Sequence, residues 1–156
     1  MITAMSEVDV QKLIDRLRRL CSRREYCMSD ILKKAATALD GDRDAAAKVL
    51  DVLVSEKYVD DLRYATAYAR EKAMIAGWGE TKIRYMLSTK RIDRALVDQA
   101  LTEIDSSKAD SRLQKLLENK ARTLKADPQI RLKLLRFALG RGYQYDDVVR
   151  VLQDIL

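Results

Sequence analysis

Arg63 and Arg70 stand seven residues apart, Lys82 and Arg84 flank an apolar stripe, and Lys108, Arg112, Lys115 and Arg122 recur at steps of four, three and seven, with Lys133 and Arg136 beyond them. On a helix such steps return to one side, so these cations form patches. Clustered guanidinium and ammonium groups hold phosphates or carboxylates. Trp78, set between Gly77 and Gly79, and Tyr85 are candidates to stack on bases, whereas Tyr64 and Tyr68 suit packing between helices. Any single cation of this kind serves solubility as readily as binding. The cluster weighs more, because residues 107–141 carry 10 basic against 3 acidic side chains.

The rest of the chemistry is defined by absences. The 156 residues include no histidine, so no Ser-His or Cys-His pair and no imidazole acid or base can form. No phosphate-cradling GxxxxGK[ST] loop occurs, and Gly77-Trp78-Gly79 does not continue as a dinucleotide fingerprint. Carboxylates stand at helix starts or on solvated faces, where capping accounts for them. Cys21 and Cys27 are expected as reduced thiols without a metal. These residues predict a binding protein with no catalytic residues, no cofactor and no small-molecule substrate.

The elements that position the cations are helices. Leu, Ala, Lys, Arg, Asp and Glu dominate, with one proline, and strand formers are sparse. From Val10 the apolar residues Leu13, Ile14, Leu17 and Leu20 follow helical spacing, with Lys12, Arg16, Arg18, Arg19 and Arg23 around the polar side. Helices are then predicted from about Ser29 to Leu39 and from about Asp44 to Glu56. A helix opening at Asp60 or Asp61 runs towards Gly77, with Leu62, Ala65, Ala69, Ala73 and Ala76 on its packing side and Tyr64, Tyr68 and Ile75 widening it. Ile83, Met86 and Leu87 mark the next, and Leu96, Val97, Ala100, Leu101 and Ile104 one opened by Asp93. Residues 105–126 read as one helix with Lys108, Arg112, Lys115 and Arg122 on its outer face and Lys120 awkwardly near its apolar arc. Asp127-Pro128 reads as the start of the following helix, Gly142 as its left-handed end, and a last helix opens near Asp146.

These pieces repeat. Ala46, Val97 and Val148 stand 51 residues apart, and Val49-Leu50-Leu53, Ala100-Leu101-Ile104 and Val151-Leu152-Ile155 keep that offset. The expected fold is all-α, with three tandem three-helix modules in an elongated or curved array: a flexible terminus over 1–9, then modules over 10–59, 60–105 and 106–156. Net charge is +6, with a pI of about 9.3, and residues 105–156 hold +4 of that excess.

The run YVDDLRYATAYAREK, then GWGETKI, then LVDQAL resembles the central module of the RecX family, bacterial regulators of the RecA recombinase. Arg24-Glu25-Tyr26, followed by Ser29-Asp30-Ile31, is similar to the family's opening signature, with Cys27 where a serine is usual and Ser29 expected to take over the cap. The Leu39–Arg43 connection departs from the family's short Lys-Gly turn, and Arg91 stands where the family favours glycine. The resemblance implies a negative regulator that binds RecA and RecA-DNA filaments and blocks filament extension or promotes disassembly. The ten cations named above are the candidates to contact RecA or single- or double-stranded DNA. A helix-turn-helix-like regulator acting on DNA without RecA is the alternative, and a passive adaptor a third reading. With no apolar run of membrane-spanning length and no signal peptide, a cytoplasmic location is expected.

Overall fold

The structure, a computed structural model, describes residues 7–104 and 106–156. Among these residues all regular structure is helical: α1 (Glu7–Arg23), α2 (Met28–Ala38), α3 (Arg43–Ser55), α4 (Asp61–Met74), α5 (Glu80–Thr89), α6 (Arg94–Thr102), α7 (Ala109–Ala121), α8 (Ile130–Gly140) and α9 (Tyr145–Ile155). Single 3-10 turns, Ser106–Lys108 and Arg122–Leu124, flank α7.

Each set of three helices encloses its own apolar cluster. Leu13, Leu17, Ile31, Val49 and Leu53 fill the first, Ala65, Ala69, Ile83, Leu87 and Val97 the second, and Leu113, Leu117, Leu134, Val148 and Leu152 the third. The repeat positions Ala46, Val97 and Val148 are all buried. α4 meets its neighbours through alanines, whose small side chains allow close helix approach, and the tyrosines Tyr64 and Tyr68 stack at 6.0 Å over that layer. The exposed area of the chain is 10330 Å². A compact chain of its mass would show roughly 8,000 Å². The excess is that of three small cores in a row.

Several local expectations shift. α1 begins at Glu7, ahead of Val10, with Glu7 and Asp9 facing the positive end of its dipole; residues 1–6 of the expected flexible terminus lie outside the described residues. The stretch 105–126 is not one helix, because 3-10 turns replace its first and last turns; Asp105 lies outside the described residues. α8 starts at Ile130 rather than at Asp127-Pro128. Asp127 instead closes a turn ahead of it, accepting from the Gln129 N–H at 2.8 Å while its other oxygen pairs with Lys133. Ile75 leaves the packing face altogether: Ala76 N donates to Glu71 O and Trp78 N to Lys72 O, Gly77 turns the chain with φ of 71°, and Ile75 ends 83 % exposed.

The modules are joined by repeating polar contacts. Asp60 caps its own helix, accepting from Arg63 N at 3.0 Å. Asp61 reaches back and accepts from Met28 N at 2.7 Å, capping α2 of the preceding module. Ser29 therefore does not cap α2; its hydroxyl donates to Lys90 O at 2.7 Å. Cys27, a buried free thiol, packs into the second module's core. At the next junction Gly79 N donates to Arg141 O at 2.7 Å and Thr81 N to Gly142 O at 3.1 Å. Lys90 and Arg141 hold the same register in successive repeats. Both carbonyls thus receive a donor from the start of the previous module's middle helix.

Candidate functional site

Where α4 ends, Met74 and Ile75 stand 63 % and 83 % exposed, with Ile104 at the end of α6 beside them. A cleft of about 420 Å³ opens there, lined also by Arg70, Glu71, Glu103, Lys108 and Arg112. Exposed apolar surface of this kind, rimmed by polar groups, is the usual form of an interaction site. Arg70 leans on Glu103 at 3.5 Å across the exposed rim. Arg112 is half-buried, its Nη1 lying 3.9 Å from the Met74 sulfur. Its guanidinium is therefore an element of the cleft wall and not of an outer ridge.

Of the ten cations singled out by spacing, Arg70, Lys108 and Arg112 converge on this cleft. Arg63 is committed within the molecule: it pairs with Glu25 at 2.8 Å and donates to Lys57 O and Tyr58 O, which ties α4 to the first module. Arg84 pairs with Asp98 and Glu80, whose hydrogen bonds raise its pKa against the weaker effect of burial. Lys133 pairs with Asp127. Lys115, Arg122 and Arg136 are exposed, on or beside α7 and on α8.

Trp78 is partly buried rather than presented as an open platform. It packs edge-on to Tyr68 at 6.3 Å, with Lys82 Nζ 4.3 Å and Lys72 Nζ 4.8 Å from its ring centroid. Lys82 is thus engaged with that ring. Tyr85 is 67 % exposed on α5. Lys120, awkward in the sequence, lies over the Phe137 ring at 5.1 Å, a cation–π contact that explains its place. Met74 and Ile75 were missed as site residues because helical periodicity assigned Ile75 to the core. Gly77 was the signal that the helix stops before it.

Residues 60–101 match the second three-helix domain of RecX, and residues 109–152 match the third. The regulatory protein RecX of Vibrio parahaemolyticus is 32% identical over 132 residues, a span covering 83% of each chain. The chain belongs to the RecX family. Regulatory protein RecX of a Mycobacterium species (strain KMS) is similar at 32% identity over 144 residues, covering 81% of this chain and 79% of that one. Regulatory protein RecX of Clostridium tetani is 29% identical over 119 residues, and the chain spans a little over half the length of such clostridial relatives, 54% in this case. RecX from Lactobacillus salivarius shares the fold, with a TM-score of 0.80, coverage of 96% and 97% of the two chains and 20% sequence identity. A second RecX crystal structure superposes with a TM-score of 0.83 over 93% of this chain. These relatives are regulatory proteins by name. Among the described residues no helix is long and apolar enough to cross a membrane, and no cluster of side chains suited to a metal ion occurs.

Proposed function

We propose that this RecX-family chain is a cytoplasmic, non-catalytic negative regulator of RecA, binding RecA and RecA-DNA filaments so as to block extension or promote disassembly and thereby restrain recombination and repair. The observation that carries the reading is the cleft at the end of α4, where exposed Met74 and Ile75 are edged by Arg70, Lys108 and Arg112. An apolar anchor within a charged rim is what a protein partner engages. Three modules, acting as units over 10–59, 60–105 and 106–156, supply the length to span neighbouring protomers. Lys115, Arg122 and Arg136, with Tyr85, extend the basic surface towards DNA, while Arg63, Lys82, Arg84 and Lys133 act chiefly by holding the surface in shape.

The test is DNA-dependent ATP hydrolysis by RecA on single-stranded DNA, with the chain titrated in at fixed salt. Inhibition well below one chain per RecA protomer is the expected result. Ile75→Asp combined with Lys108→Glu and Lys115→Glu is expected to raise the inhibitory concentration at least about tenfold, the loss of one anchor's worth of binding. No inhibition by the native chain while it still binds DNA would transfer the role to a regulator acting on DNA without RecA.

A further inference from the structure

The first module carries a second basic surface, outside the cleft and its surroundings. On α1, Lys12, Arg16 and Arg19 follow one another at four and three residues and share one face. Across a groove stand Lys33 and Lys34 of α2, and Arg16 and Ala38 line both halves of that groove. All five cations are exposed. The other side of α1 is different in kind, since Arg18 there is held by Glu56 and Asp15. Asp9 and Asp15 also line the α1 half of the groove, with Asp15 held by Arg18 and Gln11, so five cations stand there against two carboxylates.

The floor decides what the groove can take. Leu13 and Leu17 are 4 % and 1 % exposed and Leu20 is half-buried, so the apolar floor is largely closed, in contrast to Met74 and Ile75. The Thr37 hydroxyl is occupied by the Lys33 carbonyl at 3.0 Å. Tyr26, beside Lys34, lies under the Arg24 guanidinium at 4.4 Å and the Lys34 ammonium at 5.5 Å, so its ring is not a platform for a base. Two facing rows of cations, in excess over Asp9 and Asp15 and with no base-reading group beside them, match a ligand that is a regular line of anions.

We propose that the α1–α2 groove binds the phosphodiester backbone of nucleic acid, independently of base sequence, through Arg16, Arg19, Lys33 and Lys34. The proposal rests on the reading of the chain as a binder of RecA-DNA filaments, and it divides that work: the first module is the main holder of nucleic acid, with Lys115, Arg122 and Arg136 adding to it, while the cleft between the second and third holds protein.

The experiment uses the full chain without RecA. Affinity for a labelled oligothymidylate is measured over a range of salt for the native chain, for Arg16→Gln with Arg19→Gln, for Lys33→Gln with Lys34→Gln, and for Lys108→Gln with Lys115→Gln. Circular dichroism confirms that each variant is folded. On a single strand, every phosphate that a variant no longer neutralises lowers the slope of log affinity against log salt by about 0.7. Each groove pair is expected to lower that slope by about 1 or more and to leave a mixed-sequence oligonucleotide bound as well as oligothymidylate, with the Lys108 and Lys115 pair changing it less. An unchanged slope in both groove variants, or a larger drop in the Lys108 and Lys115 variant, overturns the proposal. So does loss of RecA inhibition by a groove variant whose DNA slope is native, which would make the groove's ligand an acidic protein surface. Failure of the native chain to inhibit RecA, with the groove slopes behaving as expected, would refute the filament reading and leave the groove standing.

Discussion

Asp60 and Asp61 are adjacent carboxylates with different tasks, and their difference is measurable. Asp60 caps α4, while Asp61 accepts the Met28 N–H of the preceding module. Burial raises the Asp61 pKa, with the Met28 hydrogen bond opposing and Asp60 and Asp30 assisting. A carboxyl whose folded pKa lies above its unfolded value makes the charged form a liability in the fold, relieved as pH drops through that raised value. Asp61→Asn keeps the acceptor without the charge and is expected to match or exceed the native midpoint of urea unfolding at neutral pH. Asp61→Ala loses the cap and should cost about 1 kcal/mol. Equal losses in both would show that the charge, not the acceptor, is what the junction uses. Nearby, burial works to raise the Asp30 pKa, but the hydrogen bond and charge of Lys90 prevail and hold it below 3.8, while Asp30 lifts Lys90 above 10.5. The depressed carboxyl gives stability present above its unfolded value and lost as pH falls through the folded one. The raised ammonium gives stability lost only as pH rises past its own folded value. Asp30→Asn should therefore show its deficit between about 3.8 and 10.5 and converge with the native chain in acid. With Lys90 39 % exposed, screening limits that deficit to about 1 kcal/mol. The capping role of Asp60 was legible from the sequence because it is local. The reach of Asp61 to Met28 and of Arg63 to Glu25 was not, since each joins residues more than thirty positions apart.

At the scale of elements, the three modules share one turn. Asp40, Arg91 and Gly142, at the same register of successive repeats, all adopt positive φ, 55°, 57° and 96°. Arg91, where the family favours glycine, takes the left-handed conformation at a cost of about 1 kcal/mol. Left-handed geometry alone therefore does not require glycine at this place. Gly142 is set by its neighbour: a Cβ there would lie 2.4 Å from Lys82 Cβ and 2.6 Å from Lys82 N, and one on Gly79 would lie 2.4 Å from Gly142 O. The two glycines let the second and third modules meet backbone to backbone, where Gly79 and Thr81 donate across the junction. Gly142→Ala is expected to cost about 2–4 kcal/mol from strain and overpacking together, whereas Gly41→Ala, with φ of 86° and open space around it, should cost about 1 kcal/mol. Similar urea midpoints for the two would mean the junction opens freely enough to relieve the contact. The repeat of Ala46, Val97 and Val148 was readable because burial at helical spacing leaves a local trace. The turn at Asp127 ahead of α8, and the exposure of Ile75, depend on how a helix starts or ends, which periodicity does not record.

For the molecule as a whole, the excess of exposed area and the separation into three apolar clusters predict stability that is distributed rather than global. Leu117 is fully buried in the third cluster, and Leu117→Ala should remove about 2–5 kcal/mol there. In a single cooperative core that loss would appear at every slowly exchanging amide. In a chain of modules it appears where the cavity is and decays with each junction. Amide exchange is thus expected to accelerate throughout α7, α8 and α9, to accelerate partly at Gly79 and Thr81, whose partners are the Arg141 and Gly142 carbonyls, and to remain native in α1, α2 and α3. Uniform acceleration across the chain would show that the junctions transmit the full unfolding free energy. A regulator of that kind would meet its partner as one rigid rod. Graded acceleration fits a chain whose third module can yield while the basic groove between α1 and α2 keeps its shape, so that the two surfaces engage their ligands in succession.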